Sequence, residues 1–366
     1  MTNDFFNTQS EIITPTGGNA AEAVRYLTAL NHTLRASLNA DELLWPMSLP
    51  PILPEDLTKI ELSHVTEEKA NYYKNWLKNH DIRRALPTGV HINISFDAAL
   101  IDSLHAYTLE GYPTKPELKN ALFEKIVHGF IQYRWLLTYL FGASPVAEKN
   151  YYVDQVPESP VRSLRSSRQY GLFSAYRGDY SSIASYESSL LKAISDNEIQ
   201  SESEFHGPIR LKAADEIKGM TDKGLSYIEL RMLDLDPSSS IGIRASTVRF
   251  LRLLTMYFVM TPDTWQNNSQ KIADQMNETV ALEPAKSMTL YQTQALAFMS
   301  DLEEFSALVD YAIARAQMYQ DFADNEVKHL RVYKKSINGQ EMSEEELRVM
   351  LFDQPWRHVE YPEYIE

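Results

Sequence analysis

Glu229 and Arg231 stand two residues apart in the stretch 224–244, G-L-S-Y-I-E-L-R-M-L-D-L-D-P-S-S-S-I-G-I-R. From Leu225 to Leu233 polar and apolar residues alternate, the period of a strand whose two faces differ. Tyr227, Glu229 and Arg231 therefore share one face, and Ile228, Leu230 and Met232 share the other. A carboxylate and a guanidinium on one strand face are rigidly held and aimed the same way. An ion pair across the pleat of a surface strand shows the same spacing. A second strand has matching features. In G-V-H-I-N-I-S-F, 89–96, His91, Asn93 and Ser95 alternate with Val90, Ile92, Ile94 and Phe96. Histidine and asparagine on a strand this apolar suggest a lined cavity, although any antiparallel strand with one face in water alternates in this way.

Asp4, Glu11, His91 and Glu229 are oxygen and imidazole donors on or next to strands. The chain has no cysteine, which excludes disulfides and thiolate chemistry and restricts any metal to oxygen or imidazole ligands. That donor chemistry favours Mg²⁺ or Mn²⁺ over structural zinc. The phosphate loop, the dinucleotide fingerprint, the H-E-x-x-H zinc motif and the G-x-S-x-G elbow are all missing from the sequence. The polar loop 154–171 adds Arg162, Arg165, Arg168 and Tyr170. Those arginines could clamp phosphate or carboxylate through bidentate pairing, or offset surface acids. Carboxylates on neighbouring antiparallel strands, Mg²⁺ on nucleotide phosphates and nearby arginines suit phosphoryl transfer onto a carboxylate.

The elements that must hold these residues follow from periodicity. A helix is expected from Gly17-Gly18-Asn19 to about Leu38, with Ala23, Val24, Leu27, Leu30 and Leu34 as its stripe. Trp45-Pro46 and Pro50, Pro51 and Pro54 mark an extended loop. Residues 66–79 read as a short helix bearing Tyr72, Tyr73 and Trp76; Tyr73 could stack on a ligand, though an aromatic at helical spacing is more often core. One long amphipathic helix is expected from about Pro116 to Phe141, stopped by Gly142 and Pro145. Another runs from about Tyr180 to Asn197, a turn at 204–208 feeds a strand, and 246–261 form an apolar helix. Beyond 262 the pattern is helical, near 288–326 and 343–352, the last opened by Ser343 and Glu346 as a capping box.

At 366 residues the chain can bury a sizeable core. The expected division is a catalytic sheet-and-helix domain over 1–261 and a helical extension over 262–366. A net charge of −15 argues against a general nucleic-acid or anionic-membrane surface, and leaves room for a local cationic site. The start is polar without a basic leader, and the most apolar run, Phe250 to Met260, contains Arg252 and is too short to span a bilayer. A cytoplasmic protein is expected.

Several blocks in order resemble the bacterial glutamate–cysteine ligases (gamma-glutamylcysteine synthetases), a type also found as the N-terminal half of bifunctional glutathione synthases. They are Asp4-Phe5 with Glu11-Ile12-Ile13-Thr14-Pro15, Trp45-Pro46-Met47-Ser48-Leu49-Pro50 and Gly89-Val90-His91-Ile92-Asn93. Tyr139-Leu140-Phe141-Gly142-Ala143-Ser144-Pro145, Ser163-Leu164-Arg165 and Pro208-Ile209-Arg210 follow. The most specific is Tyr227-Ile228-Glu229-Leu230-Arg231 through Leu233-Asp234 to Pro237 and Ile241-Gly242. The resemblance implies an α+β fold, a glutamine-synthetase-like antiparallel sheet funnel ringed by helices. It implies ATP-dependent ligation of the L-glutamate γ-carboxylate to the L-cysteine amine through γ-glutamyl phosphate, with Mg²⁺ or Mn²⁺. Carried over, Asp4, Glu11, His91 and Glu229 match metal ligands, and Arg231 faces the transferring phosphoryl group. Phe5, Tyr73, Arg165 and Tyr170 match residues around cysteine, and Arg210 joins the substrate-binding set.

Two departures qualify the match. His206 stands where the family can carry a tyrosine at the cysteine pocket. The family's N-terminal strand with a Glu-x-Glu-x-x-Arg motif precedes the point where this sequence starts, so either a truncated chain or a site completed by another polypeptide is expected, with weak or no activity of this chain by itself. The competing expectations are a ligase joining glutamate to another amine, and an inactive remnant that serves as a binding protein.

Overall fold

The computed structural model describes residues 2–108, 111–153, 155–171, 176–214, 216–316, 335, 338–340 and 343. The strands are β1 (Thr2–Asn3), β2 (Ser10–Glu11), β3 (Val90–Ile94), β4 (Ile209–Lys212) and β5 (Tyr227–Leu233). The first helices are α1 (Ala20–Ala36), α2 (Glu67–Asn79), α3 (Ala98–Thr108), α4 (Lys115–Gln132) and α5 (Arg134–Phe141). They are followed by α6 (Ile183–Ser195), α7 (Met220–Lys223), α8 (Ala245–Met260), α9 (Ser269–Leu282) and α10 (Gln292–Ala316). The architecture is α+β, with segregated helices and antiparallel strands. Apart from Ser343, the helix expected over 343–352 lies outside the described residues, as does the end of the 288–326 segment.

The chain forms two compact units. The first comprises 1–46, 236–257 and 287–366; the second comprises 47–235 and 258–286. Compactness thus follows other lines than the sequence boundary at 261, which concerned where the catalytic part ends.

In the first unit β1 and β2 make an antiparallel hairpin pairing Thr2 with Glu11 and Asn3 with Ser10. Its turn buries Phe5 and Phe6, whose ring centroids lie 4.9 Å apart. Asn19 caps α1 by accepting from the Glu22 N–H at 2.9 Å, which satisfies one of the free amides of the first turn. Tyr257 on α8 packs edge-on against Phe298 and Phe305 of α10.

The second unit holds a three-stranded antiparallel sheet in the order β3-β5-β4. Ile228 and Leu230 of the central strand are fully buried, as are Ile209 and Leu211 of β4. Each such side chain contributes roughly 1.5–3 kcal/mol of transfer free energy, so this alternation sets which face turns inward. α5 packs against β5. Gly224, three residues before β5, has φ +82, and a Cβ there would meet the Cα of Pro116 at 3.2 Å. The entry to the strand therefore needs glycine. Buried Asn120 on α4 secures the same turn, donating to the carbonyls of Met220 and Thr221 and accepting from the Leu225 N–H.

The single helix expected over 116–141 is two. α4 starts on a capping box between Thr114 and Glu117 with Pro116 in its first turn. It ends at Tyr133, whose φ of −101 and ψ of 12 break the helical path. No proline or glycine marks the break in the sequence. Tertiary partners are found on both sides of it: Tyr133 stacks on Phe258 at 5.9 Å and Arg134 pairs with Asp274 at 2.8 Å. The α3 helix was not anticipated at all.

Candidate active site

Register brings the site together. β5 lies between β3 and β4, with Glu229 opposite Asn93 on one side and Arg210 on the other. Directly paired antiparallel residues project to the same face, so Asn93, Glu229 and Arg210 form one row across the sheet. A register irregularity lies between Val90 and Ile92, at His91. His91 Nδ1 is 3.0 Å from Glu229 Oε1 and 3.3 Å from Arg231 Nη1, while Arg231 Nη1 donates to Glu229 Oε1 at 2.7 Å. The shorter histidine contact places the proton on Nδ1, donating to the carboxylate, and leaves the Nε2 lone pair for a ligand.

These groups shift one another. Burial alone would raise the Glu229 carboxyl, but the His91 hydrogen bond and the Arg231 charge hold it well below the usual carboxylate range. Desolvation, with the Arg231 charge beside it, pushes the His91 imidazole down to about 4 despite the Glu229 hydrogen bond. Arg231 is pushed down to about 10 by burial and by the repulsion of Arg210. Desolvation and the same two guanidinium charges, Arg210 and Arg231, hold His206 well below the ordinary imidazole value. The polar face is thus rich in cationic charge within an acidic protein, which suits an anionic substrate.

Arg165 reaches the same cluster from the loop. Its guanidinium donates to the Arg231 carbonyl at 3.0 Å and lies 3.7 Å from Asp234 Oδ1. Gly89 makes room for it, since a Cβ at that position would sit 2.1 Å from Arg165 Nη2. Two of the three arginines that could form a clamp or offset surface acids are engaged within the chain. Arg162 is buried, donates to Glu283 and the Ala285 carbonyl and lies over the Tyr139 ring at 4.4 Å. Its charge neutralises a buried acid in the scaffold, and the Arg165 guanidinium is likewise bonded within the chain.

Tyr73 is buried in α2, 2 % exposed. Tyr170 lines a small cleft with Arg83, Arg84, Tyr151, Tyr152, Val153 and Gln169, and its hydroxyl accepts from Gln169 Nε2 at 3.1 Å. Asp4, Phe5 and Glu11 belong to the hairpin of the first unit. Among the described residues no group of three or more His, Asp or Glu converges to hold a metal. His91 and Glu229 supply two donors, and the contacts of Glu229 with His91 and Arg231 both use Oε1. Such a pair fits Mg²⁺ carried mainly by substrate phosphates and water, the usual arrangement for that ion. Asn93 and Asp234 are structural additions to the candidate set. Asn93 shared the polar face in the sequence, whereas only register joins it to Glu229; nothing in the pattern distinguishes Asp234.

Fold and site together define an α+β protein whose sheet presents a carboxylate, an imidazole and guanidinium groups on one face. The family profile for glutamate-cysteine ligase matches residues 1–176 and 170–280, and the chain belongs to that family. The glutathione biosynthesis bifunctional protein GshAB of Enterococcus faecalis is 36% identical over 284 residues, 76% of this chain and 37% of its own length. The corresponding protein of Lactiplantibacillus plantarum is 35% identical over 300 residues, 80% of this chain and 39% of its own. The chain spans about two fifths of these curated relatives. A bifunctional glutathione synthetase from Pasteurella multocida shares the fold at a TM-score of 0.79 and 22% identity, over 95% of this chain and 46% of that one. A glutamate–cysteine ligase from Francisella tularensis, solved with AMP, gives 0.73 and 20% over 92% and 76%. Among the described residues no helix is long and apolar enough to cross a membrane.

Proposed function

We propose that the chain joins the γ-carboxylate of L-glutamate to the amine of L-cysteine, driven by ATP, the first step of glutathione synthesis. The observation that carries this reading is the Glu229–Arg231–His91 cluster, set on a sheet face within a region matching the ligase family. The γ-phosphoryl group of ATP passes to a γ-carboxylate oxygen and ADP leaves. The cysteine amine attacks the carbonyl carbon of γ-glutamyl phosphate, phosphate departs, and the amine loses its proton. Transfer spreads negative charge over the phosphoryl oxygens, and preorganised guanidinium groups stabilise that charge without reorganising. Arg231 has this role, with Arg210 beside it binding substrate. His91 and Glu229 would hold a divalent cation, Mg²⁺ or Mn²⁺, which when bound neutralises phosphate charge.

The remaining roles rest on the family resemblance. Asp4 and Glu11 are assigned to metal binding, and Phe5, Tyr73, Arg165, Tyr170 and His206 to the cysteine side. The sheet is taken as part of a glutamine-synthetase-like funnel, with the catalytic part over 1–261 and a helical extension over 262–366. The test is ADP release by the purified chain with ATP, Mg²⁺, glutamate and a panel of amines. Cysteine is expected to give the largest release, with γ-glutamylcysteine as product. If cysteine gives no more ADP than the other amines, the reading is wrong.

A further inference from the structure

Asp234 directly follows β5, and its side chain is fully buried. Its Oδ2 accepts three hydrogen bonds, from the Ala143 N–H at 2.7 Å, the Ser144 hydroxyl at 2.8 Å and the Ser163 hydroxyl at 2.8 Å. The two serines are saturated in turn, since Ser144 Oγ accepts from the Arg165 N–H and Ser163 Oγ from the Ser166 N–H. Among the described residues Oδ1 has no hydrogen-bond partner, and it faces Arg165 Nη1 at 3.7 Å. A carboxylate fixed through one oxygen cannot turn away, so its second oxygen presents a stationary negative charge to Arg165.

Arg165 is the link to the sheet's polar face. Its Nη2 donates to the carbonyl of Arg231, and its guanidinium lies where a Cβ on Gly89 would collide with it. A buried guanidinium without a counter-charge is strongly disfavoured. The only acid paired with it among the described residues is Asp234.

We infer that Asp234 is a positioning residue: it fixes Arg165 against the Arg231 carbonyl and so holds the Arg231 end of β5 in the geometry the active face requires. This rests on the ligase reading for its consequence in turnover, but not for the contact itself. Removing the charge at 234 frees the Arg165 guanidinium, and the backbone at Arg231 loses its tether. Side-chain displacements of about 1 Å at a reacting centre can cost on the order of 100-fold in rate.

The test uses the full chain carrying Asp234→Asn. Solvent exchange of the Arg165 Nε–H, followed by ¹⁵N NMR with Arg165→Lys for assignment, is expected to quicken at least tenfold. Cysteine-dependent ADP release is expected to fall about 100-fold in kcat, with KM for ATP changed less than about threefold. In combination with Arg165→Met, Asp234→Asn should add little further loss, because both remove one unit. Unchanged Nε–H exchange, or fully additive losses, would overturn the inference. If Asp234→Asn does not fold, Ser163→Ala removes one of the three donors and should quicken exchange by a smaller factor; unchanged exchange there is equally fatal. Wild-type ADP release no larger with cysteine than with other amines would sink the function proposed above while leaving the exchange measurement decisive for Asp234.

Discussion

The carboxylate of Glu229 is the only acid in contact with Arg231 among the described residues, and both side chains are 14% exposed. Glu229→Gln keeps the shape and removes the charge, leaving a largely buried guanidinium without its counter-ion. A loss of stability on the order of 1–3 kcal/mol is expected, read as a lower urea midpoint at unchanged slope. A surface pair would cost well under 1 kcal/mol, so the magnitude separates a desolvated site from a solvated strand. The sequence placed Glu229 and Arg231 side by side through alternation alone. It could not reveal that Arg165 and Arg162 bond within the chain, because their partners Arg231, Asp234 and Glu283 lie 66 to 121 residues away. Spacing within 154–171 carries no information about such partners.

Among elements, β5 was legible because its two faces meet different surroundings. Leu230 is fully buried, whereas Asn93 sits on the exposed side of β3. Leu230→Ala is expected to cost about 2–5 kcal/mol through lost burial and the cavity it leaves. Asn93→Ala should stay within about 0.5 kcal/mol in stability. Equal losses in urea denaturation would mean that the sheet faces are wrongly assigned. The break between α4 and α5 was illegible for the opposite reason. Ile131-Gln132-Tyr133-Arg134 contains no breaker, and an unbroken apolar stripe crosses it. Packing of Tyr133 on Phe258 and the Arg134–Asp274 pair accompany the break, and neither contact leaves a local trace.

For the whole molecule, two acids outside the candidate site give opposite pH signatures. Asp81 lies below its ordinary value, chiefly because Arg83 hydrogen-bonds both of its oxygens. Its stabilising contribution is present above about pH 4 and is lost as pH falls through the folded value. Glu278 is raised by burial, which outweighs the backbone hydrogen bond from Gln169. Its contribution is fully present below the unfolded value and is lost as pH rises through the folded one. Chemical denaturation over a pH series should therefore show Asp81→Asn flattening the loss below about pH 4. Glu278→Gln should remove a decline just above the ordinary carboxylate range. A Glu278→Gln curve parallel to wild type would contradict the burial of that carboxyl.

What the sequence determined was the set of faces and the family. Alternation and helical stripes are properties of neighbouring residues, so local covalent geometry makes them readable. The blocks from Asp4-Phe5 to Ile241-Gly242 identified the ligase resemblance that the family match bears out. Only the tertiary structure decided that Asn93, Glu229 and Arg210 share one row, that Arg165 is bound to Asp234 and the Arg231 carbonyl, and that Tyr73 is buried. Register and partner choice depend on which distant atoms meet once apolar faces are buried, and that selection belongs to the folded chain as a whole.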